Sequence, residues 1–172
     1  LSADNFLHFP DFRAHERAFQ VLTQVAGRAG RLGDESKVLI QTFQPQHPVL
    51  SFVSNYDYAS FYEIQIKQRE QFGYPPYVRM IRIELKHKNM STLITASEWL
   101  KKGLIARFSH VLGPVAPAVG RVRNYYILHV LIKLPLETSQ SAAKKRLSNL
   151  LQSFGMVGAF SQVNASVDVD PQ

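Results

Sequence analysis

The sequence predicts a protein of the mixed α/β class, more closely α+β, in two parts. Helical and strand-like hydrophobic patterns follow one another along the whole chain. From residue 78 onward their order is strand, helix, strand, strand, helix, strand. Hydrophobic residues make up 45% of the 172 residues and charged residues 19%, which is typical of a globular protein with a buried core.

Segment 1–57 contains one long helical pattern and little else that could complete a fold. Hydrophobic residues recur at helical spacing within 14–31, namely Phe19, Leu22, Val25, Ala26 and Ala29. Residues 37–42 predict a short strand, and a second helical stretch follows at 49–54. One long helix and one strand have no sheet to join, so we expect 1–57 to be the end of a larger α/β domain.

A linking segment and a complete domain are predicted next. The linking segment 58–77 begins with a predicted helix at 58–72. Two prolines follow, which remove hydrogen-bond donors and restrict the backbone. A half-buried strand follows at 78–87. The later elements are a helix with Ser91 as its N-cap, a short strand, a loop, the strongest strand, a second helix and a last strand, at 91–108, 111–115, 119–124, 125–134, 139–154 and 163–169. This is the βαββαβ order of a ferredoxin-like two-layer sandwich, so we expect 78–172 to form a domain with two helices on one sheet face.

The basic charge of the chain is unevenly distributed. Segment 1–57 holds 5 basic and 6 acidic side chains, whereas 58–172 holds 15 basic and 7 acidic ones. Lysines on helices usually only solvate an exposed face, but an excess of this size also fits a binding surface for a polyanion. The charge alone does not choose between these two interpretations.

Composition excludes several classes of protein. The sequence has no cysteine, so disulfides, a thiolate nucleophile and cysteine-based metal sites are excluded, and the six histidines have no metal-ligand spacing. The longest strongly apolar run, at 125–132, has the length of a strand, so no membrane span is expected. A chain that opens on Leu1 rather than Met is expected to be a piece of a longer protein.

The stretch QVAGRAGR at 24–31 is the most informative motif. On a helix of about 3.6 residues per turn, Gln24, Arg28 and Arg31 fall within an arc of roughly 60°, opposite the hydrophobic positions. Gly27 and Gly30 are unfavourable inside a helix, which indicates close approach of a ligand or another domain. Two arginine side chains beside small residues suit the oxygens of a phosphate chain.

These residues resemble a known family. The pattern Q-x-x-G-R-x-x-R is the last helicase motif of superfamily 2, and its flanks are similar to the PriA family of replication-restart helicases. Further stretches match that family in the same order, at 74–77, 112–117, 121–123 and 168–171. The resemblance spans nearly the whole chain.

The resemblance implies the C-terminal part of an ATP-dependent 3′→5′ DNA helicase that acts in primosome assembly and replication restart at stalled forks. Segment 1–57 would be the tail of a RecA-like helicase lobe, and 78–172 a DNA-binding domain similar to S10-like modules. Gln24, Arg28 and Arg31 would face the γ-phosphate of ATP, with Arg28 or Arg31 as the arginine finger. ATP and Mg²⁺ would be bound mainly by an upstream lobe, and zinc by cysteines of the longer protein. The chain has no G-x-x-x-x-G-K-[S/T] loop, so alone it is not expected to hydrolyse ATP.

Arg121, Arg123, Tyr125 and Tyr126 are the candidate DNA-binding residues of the second part. Arginines would meet phosphates while a tyrosine stacks on an unpaired base. Tyrosines on a strand are more often part of the core and loop arginines are more often solvated, so the resemblance decides this assignment. It also implies single-stranded and forked DNA, primosome and replication-restart proteins as partners, and a cytoplasmic location.

Two further expectations concern the class of the protein and its assembly. The alternative function is a non-enzymatic RNA-binding or ribosome-associated βαββαβ module. Such a module has no use for Gln24, Arg28 and Arg31 on one helix face, which favours the helicase interpretation. A second copy of the chain is a further partner, because segment 1–57 has an apolar face to bury.

Overall fold

The computed structural model describes residues 3–29 and 37–171 and divides the chain into two compact units, Leu1–Phe72 and Gly73–Gln172. The first unit is helical in its described residues. Its helices are α1 (Asp4–Leu7), α2 (Ala14–Ala29), α3 (Pro48–Ser54) and α4 (Tyr58–Phe72). Among the described residues, no helix combines the length and the apolar composition that crossing a bilayer requires.

The first unit has a small hydrophobic core of its own. Phe19 of α2 stacks on Phe61 of α4, with ring centroids 4.5 Å apart and planes within 9°. The core residues come from all four helices and from the residue before α1: Ala3, Leu7, Ala18, Phe19, Leu22, Val49, Leu50, Val53 and Phe61. Helix α4, which the sequence marks as a link, therefore packs with the helices that precede it.

The prediction of a strand at 37–42 is wrong. These residues carry an isolated bridge at Gln41 and are otherwise irregular. The carbonyl of Gln41 accepts from the backbone N–H of Ala3, at 2.9 Å. The carboxylate of Asp4 accepts from the Thr42 hydroxyl, at 2.7 Å, and from the Phe43 N–H. A hydrophobic alternation becomes a strand only beside another strand, and the described part of this unit offers none.

The second unit contains one antiparallel sheet and confirms the α+β fold class. Its elements are β1 (Val78–His87), α5 (Met90–Ile105), β2 (His110–Val115), β3 (Arg121–Val122), β4 (Tyr125–Pro135), α6 (Gln140–Gly155) and β5 (Asn164–Val169). The strand order is β2-β4-β1-β5, and β3 pairs with β4 alone. Without β3 this is the order of a ferredoxin-like sandwich.

Helices α5 and α6 cover one face of this sheet. Ile83 of β1 and its partner Val130 of β4 are fully buried, together with Leu100 of α5. Phe154 and Leu150 of α6 belong to the same cluster. Side chains alternate between the two faces of a strand, so the intervening residues of β1 and β4 lie on the face that the two helices leave open.

Two local expectations in this unit are wrong. Asn89, not Ser91, is the N-cap of α5, because its side-chain oxygen accepts from the Thr92 N–H at 3.0 Å. The stretch 119–124, expected to be a loop, contains β3, which forms a hairpin with β4. The expected cap of α6 is correct, since the Ser139 hydroxyl accepts from the Ala142 N–H.

Gly113 is a position where only glycine fits. Its φ is +97°, and an added Cβ would lie 2.6 Å from the carbonyl oxygen of His129 on the neighbouring strand. The register of β2 shifts at this point, between Leu112 and Val115.

We expect Gly113→Ala to lower the free energy of unfolding by about 2 kcal/mol or more, because strain and a backbone clash add. Urea unfolding followed by Trp99 fluorescence measures this. Gly155→Ala is the matched control: nothing lies within 4 Å of the added Cβ, so its effect stays within about 0.5 kcal/mol. Equal midpoints for wild type and Gly113→Ala would contradict the assignment.

Candidate functional site

Helix α2 separates a buried face from an exposed face as the sequence predicts. Leu22 and Phe19 are buried, and Gln24 and Arg28 are exposed. Gly27 lies between them on the exposed side, where nothing approaches within 4 Å of an added Cβ. The close neighbour that would explain Gly27 is therefore not among the described residues. Arg31 and Gly30 lie outside the described residues, and the roles of Gln24, Arg28 and Arg31 stay predictions.

The first turns of α2 carry charged residues that are engaged within the first unit. Arg17 pairs with Asp11, at 3.3 Å. Glu16 forms an ion pair and hydrogen bond with Arg69 of α4. Arg13 lies over the ring of Phe12, with its guanidinium carbon 4.6 Å from the centroid. These contacts fix the start of α2, while its second half presents Gln24 and Arg28 to solvent.

The exposed face of α2 fits phosphate oxygens better than it fits a metal ion. Gln24 and Arg28 offer N–H donors, and a guanidinium matches the oxygens of a phosphate in a planar fork. Within 3–29 and 37–171, no group of three His, Asp or Glu side chains could hold a metal ion. The sequence has no cysteine, and the described residues bring together no alternative set of zinc ligands.

The four candidate DNA-binding residues meet at the β3–β4 hairpin. Arg121 pairs with Tyr126 and Val122 pairs with Tyr125 across the two strands. The two-residue turn between them has φ values of 47° at Arg123 and 66° at Asn124, as a type I′ turn requires. Arginine adopts this left-handed region at a cost that asparagine largely avoids. Because Arg123 is a central residue of the turn, its side chain lies at the exposed tip of the hairpin.

The two tyrosines of the hairpin have different environments. Tyr126 packs against the main core, and the guanidinium carbon of Arg121 lies 4.9 Å from its ring centroid. Tyr125 is 37% exposed, and the ammonium group of Lys88 lies 5.5 Å from its ring centroid. Lys88 follows β1, and the strand register brings it to the hairpin. The sequence analysis missed Lys88, because the pairing of β1 with β4 joins residues far apart in the chain.

Glu84, the single carboxylate of β1, is engaged by two neighbouring side chains. Glu84 of β1 bonds Lys86 at 2.7 Å and His129 at 3.1 Å. Partial burial acts to raise the pKa of Glu84, but hydrogen bonds and charges from Lys86 and His129 outweigh it and hold the pKa below its ordinary value. Glu84 is therefore ionised and paired at neutral pH.

Three histidines form a cluster in the first unit that the sequence analysis also missed. The rings of His15 and His47 meet edge to face, with centroids 5.1 Å apart. Nδ1 of His47 accepts from the Val49 N–H and caps α3, which requires an unprotonated nitrogen. Burial, then the charge of His8, lowers the pKa of His15, and burial, then His15 and His8, lowers that of His47.

The fold and the hairpin define the second unit as an α+β sandwich domain whose sheet ends in a basic, aromatic edge. Comparison with known proteins assigns the family. The family model for the primosomal protein N C-terminal domain matches residues 70–172, which contain all of the sheet. The chain belongs to the PriA family, which confirms the resemblance found in the sequence.

Curated relatives agree with this assignment, and each of the following is named replication restart protein PriA. The Bacillus subtilis (strain 168) protein is 34% identical over 174 residues, 99% of this chain and 21% of the relative. The Treponema pallidum (strain Nichols) protein is 37% identical over 173 residues, 98% of this chain and 25% of the relative. The Chlamydia trachomatis serovar D protein is 48% identical over 176 residues, 99% of this chain and 22% of the relative. The chain thus spans a fifth to a quarter of the length of these relatives.

We expect the first unit to lose stability as the pH falls below about 6.5, the ordinary pKa of histidine. A folded-state pKa below the unfolded one means that the unfolded chain binds protons first, so acid favours unfolding. Amide hydrogen exchange of α2 at about pH 7.5 and pH 5.5, corrected for intrinsic rates, measures the change.

His47→Asn tests the cause of this pH dependence, because asparagine caps a helix but does not titrate in this range. The variant should show less loss of protection in acid than wild type. His110→Asn, in the second unit, is the control and should leave the α2 profile unchanged. An α2 profile that is flat with pH in the wild type would contradict the prediction.

Proposed function

We propose that this chain is the C-terminal part of an ATP-dependent 3′→5′ DNA helicase that acts in primosome assembly and replication restart at stalled forks. The exposed face of α2 carries the proposal. Gln24 and Arg28 stand opposite the buried Leu22, in the pattern of the last superfamily 2 helicase motif. Membership of the PriA family supports the same function.

In this function the exposed face of α2 meets the γ-phosphate of ATP bound to another part of the longer protein. Arg28 and Arg31 donate N–H groups to the phosphate oxygens, and Gln24 adds an amide donor on the same face. ATP supplies the phosphoryl group, and the ligands of its Mg²⁺ come from the upstream lobe. One of the two arginines stabilises the negative charge that develops as the phosphoryl group leaves. The side chains of this chain contribute positioning and charge, so the chain alone does not hydrolyse ATP.

The second unit has a different task in this function, which is to hold DNA. It contains 13 basic and 5 acidic side chains, and Arg121, Arg123 and Lys88 extend from one end of its sheet. Positive charge attracts phosphates without regard to base sequence. We infer that single-stranded and forked DNA bind at this end of the sheet. We further infer that primosome and replication-restart proteins join the assembly in the cytoplasm. An isolated chain can also pair with a second copy through the first unit.

Removal of either arginine in the full-length protein tests the motor role. We expect at least one of the variants Arg28→Ala and Arg31→Ala to lower the rate of DNA-stimulated ATP hydrolysis by about a thousandfold or more, as for other arginine fingers. Binding of a fluorescent ATP analogue should change little, because the phosphate contacts of the upstream lobe remain.

Arg146→Ala is the matched control for this experiment, since Arg146 is an exposed arginine on α6 of the second unit. It should hydrolyse ATP at the wild-type rate. Wild-type turnover by both the Arg28 and the Arg31 variants would exclude the finger role.

Salt dependence tests DNA binding by the 172-residue chain. Three or four neutralised phosphates on a single strand predict a loss of affinity of about 20- to 50-fold between 50 and 200 mM salt. Fluorescence anisotropy with a labelled oligodeoxythymidylate measures this loss. Binding that does not depend on salt would contradict the phosphate contacts, and preferential binding of the RNA of the same sequence would favour the RNA-binding module instead.

A further inference from the structure

The open face of the sheet, which α5 and α6 do not cover, differs between its two ends. At one end the ring of Tyr74 lies beneath the ammonium group of Lys133, 3.9 Å from the ring centroid. In the middle, Arg82 pairs with Asp168 and Glu84 pairs with Lys86 and His129. At the hairpin end, Tyr125 and Val122 stand side by side, 37% and 45% exposed. That end presents a partly exposed aromatic surface.

Cations surround this aromatic surface. Lys88 lies over Tyr125, and Arg123 forms the tip of the hairpin, whereas Lys86, the preceding open-face residue of β1, is paired with Glu84. The carboxylate of β1 is Glu84, which forms an ion pair with Lys86 and bonds His129. A negatively charged ligand with planar aromatic rings therefore matches the charge and the surface of the hairpin end. The ion pairs in the middle of the face do not favour such a ligand.

The contact between Lys88 and Tyr125 is one that such a ligand can replace. A cation over an exposed ring is held weakly, because water competes for the ammonium group. A base that stacks on the same ring contributes more binding free energy than the cation–π contact does. The displaced ammonium group can then bind a neighbouring phosphate of the same ligand. Tyr126 is not available in this way, because it packs against the core and under Arg121.

We propose that Tyr125, with Val122 beside it, is the platform on which an unpaired base of single-stranded DNA stacks, and that Lys88 binds the adjacent phosphate. This inference rests on the proposed function, which gives the second unit a DNA-binding role. It assigns Lys88 a particular phosphate contact and leaves Tyr126, which packs against the core, the task of holding the hairpin in place.

The experiment is an anisotropy titration of the 172-residue chain with a fluorescein-labelled 15-nucleotide oligodeoxythymidylate at several salt concentrations. Tyr125→Ala should weaken binding at least about fivefold with an unchanged salt slope, since it removes stacking and no charge. Tyr125→Phe should bind as wild type, because the ring remains. Lys88→Ala should weaken binding and reduce the salt slope by about 0.7, the contribution of one phosphate on a single strand.

Matched controls come from the rest of the chain. Tyr56→Ala removes a tyrosine that is 58% exposed in the first unit, and Lys145→Ala removes an exposed lysine of α6. Neither should change the affinity beyond the general charge effect, and the Lys145 variant distinguishes local contact from net charge. Unfolding midpoints equal to wild type, measured for each variant, exclude a folding defect.

The outcomes separate this inference from the function on which it rests. Wild-type binding that Tyr125→Ala and Lys88→Ala leave unchanged overturns the platform and leaves DNA binding by the domain intact. Equal losses for Lys88→Ala and Lys145→Ala also overturn it, because net charge then explains the effect. Absence of wild-type binding overturns both, and tighter binding of oligouridylate through the same residues makes RNA the ligand and overturns the assignment to DNA.

Discussion

The antiparallel pairing of β1 with β4 is the constraint on which the second unit depends. It joins ten residue pairs, from Val78 with Pro135 to His87 with Tyr126. In this register Ile83 faces Val130 on the side that α5 and α6 cover, and Glu84 faces His129 on the open side. A slip by one residue would expose the hydrophobic set and bury the charged one, so the core itself holds the register. Because Lys88 follows His87 directly, the same register carries Lys88 to Tyr125.

The edge of β4 opposite β1 is shaped by two departures from regular strand geometry. Gly113 lets β2 come close to the carbonyl of His129, and the register of β2 shifts beside it. Further along, the chain returns as β3 and turns through Arg123 and Asn124 into β4. Both features use backbone angles that ordinary side chains avoid. They allow one long strand to pair with β2 and with β3 on the same edge, and they form the hairpin that extends beyond the sheet.

Local patterns predicted most elements, and contacts between distant residues explain what they missed. Helix α4 and strand β1 have the predicted bounds, because a helical period, two prolines and a strict alternation mark them in the sequence. The strand at 37–42 failed because its pattern has no partner strand among the described residues. Ser91 failed as a cap because Asn89, two residues earlier, also has a capping side chain, and its own N–H is held by Nδ1 of His87. Gln24 and Arg28 could be found from helix periodicity alone, whereas Lys88 required the register.

The geometry of the turn does not explain why residue 123 is an arginine. At a φ of 47°, glycine or asparagine would fit the turn with less strain than arginine. The backbone of the turn is already satisfied by its pairing with β4, so the arginine adds nothing that the fold requires. What it adds is an exposed positive charge in the turn of the hairpin, two residues from Arg121. The proposed binding of DNA would account for this strained, exposed arginine, because a phosphate carries the opposite charge.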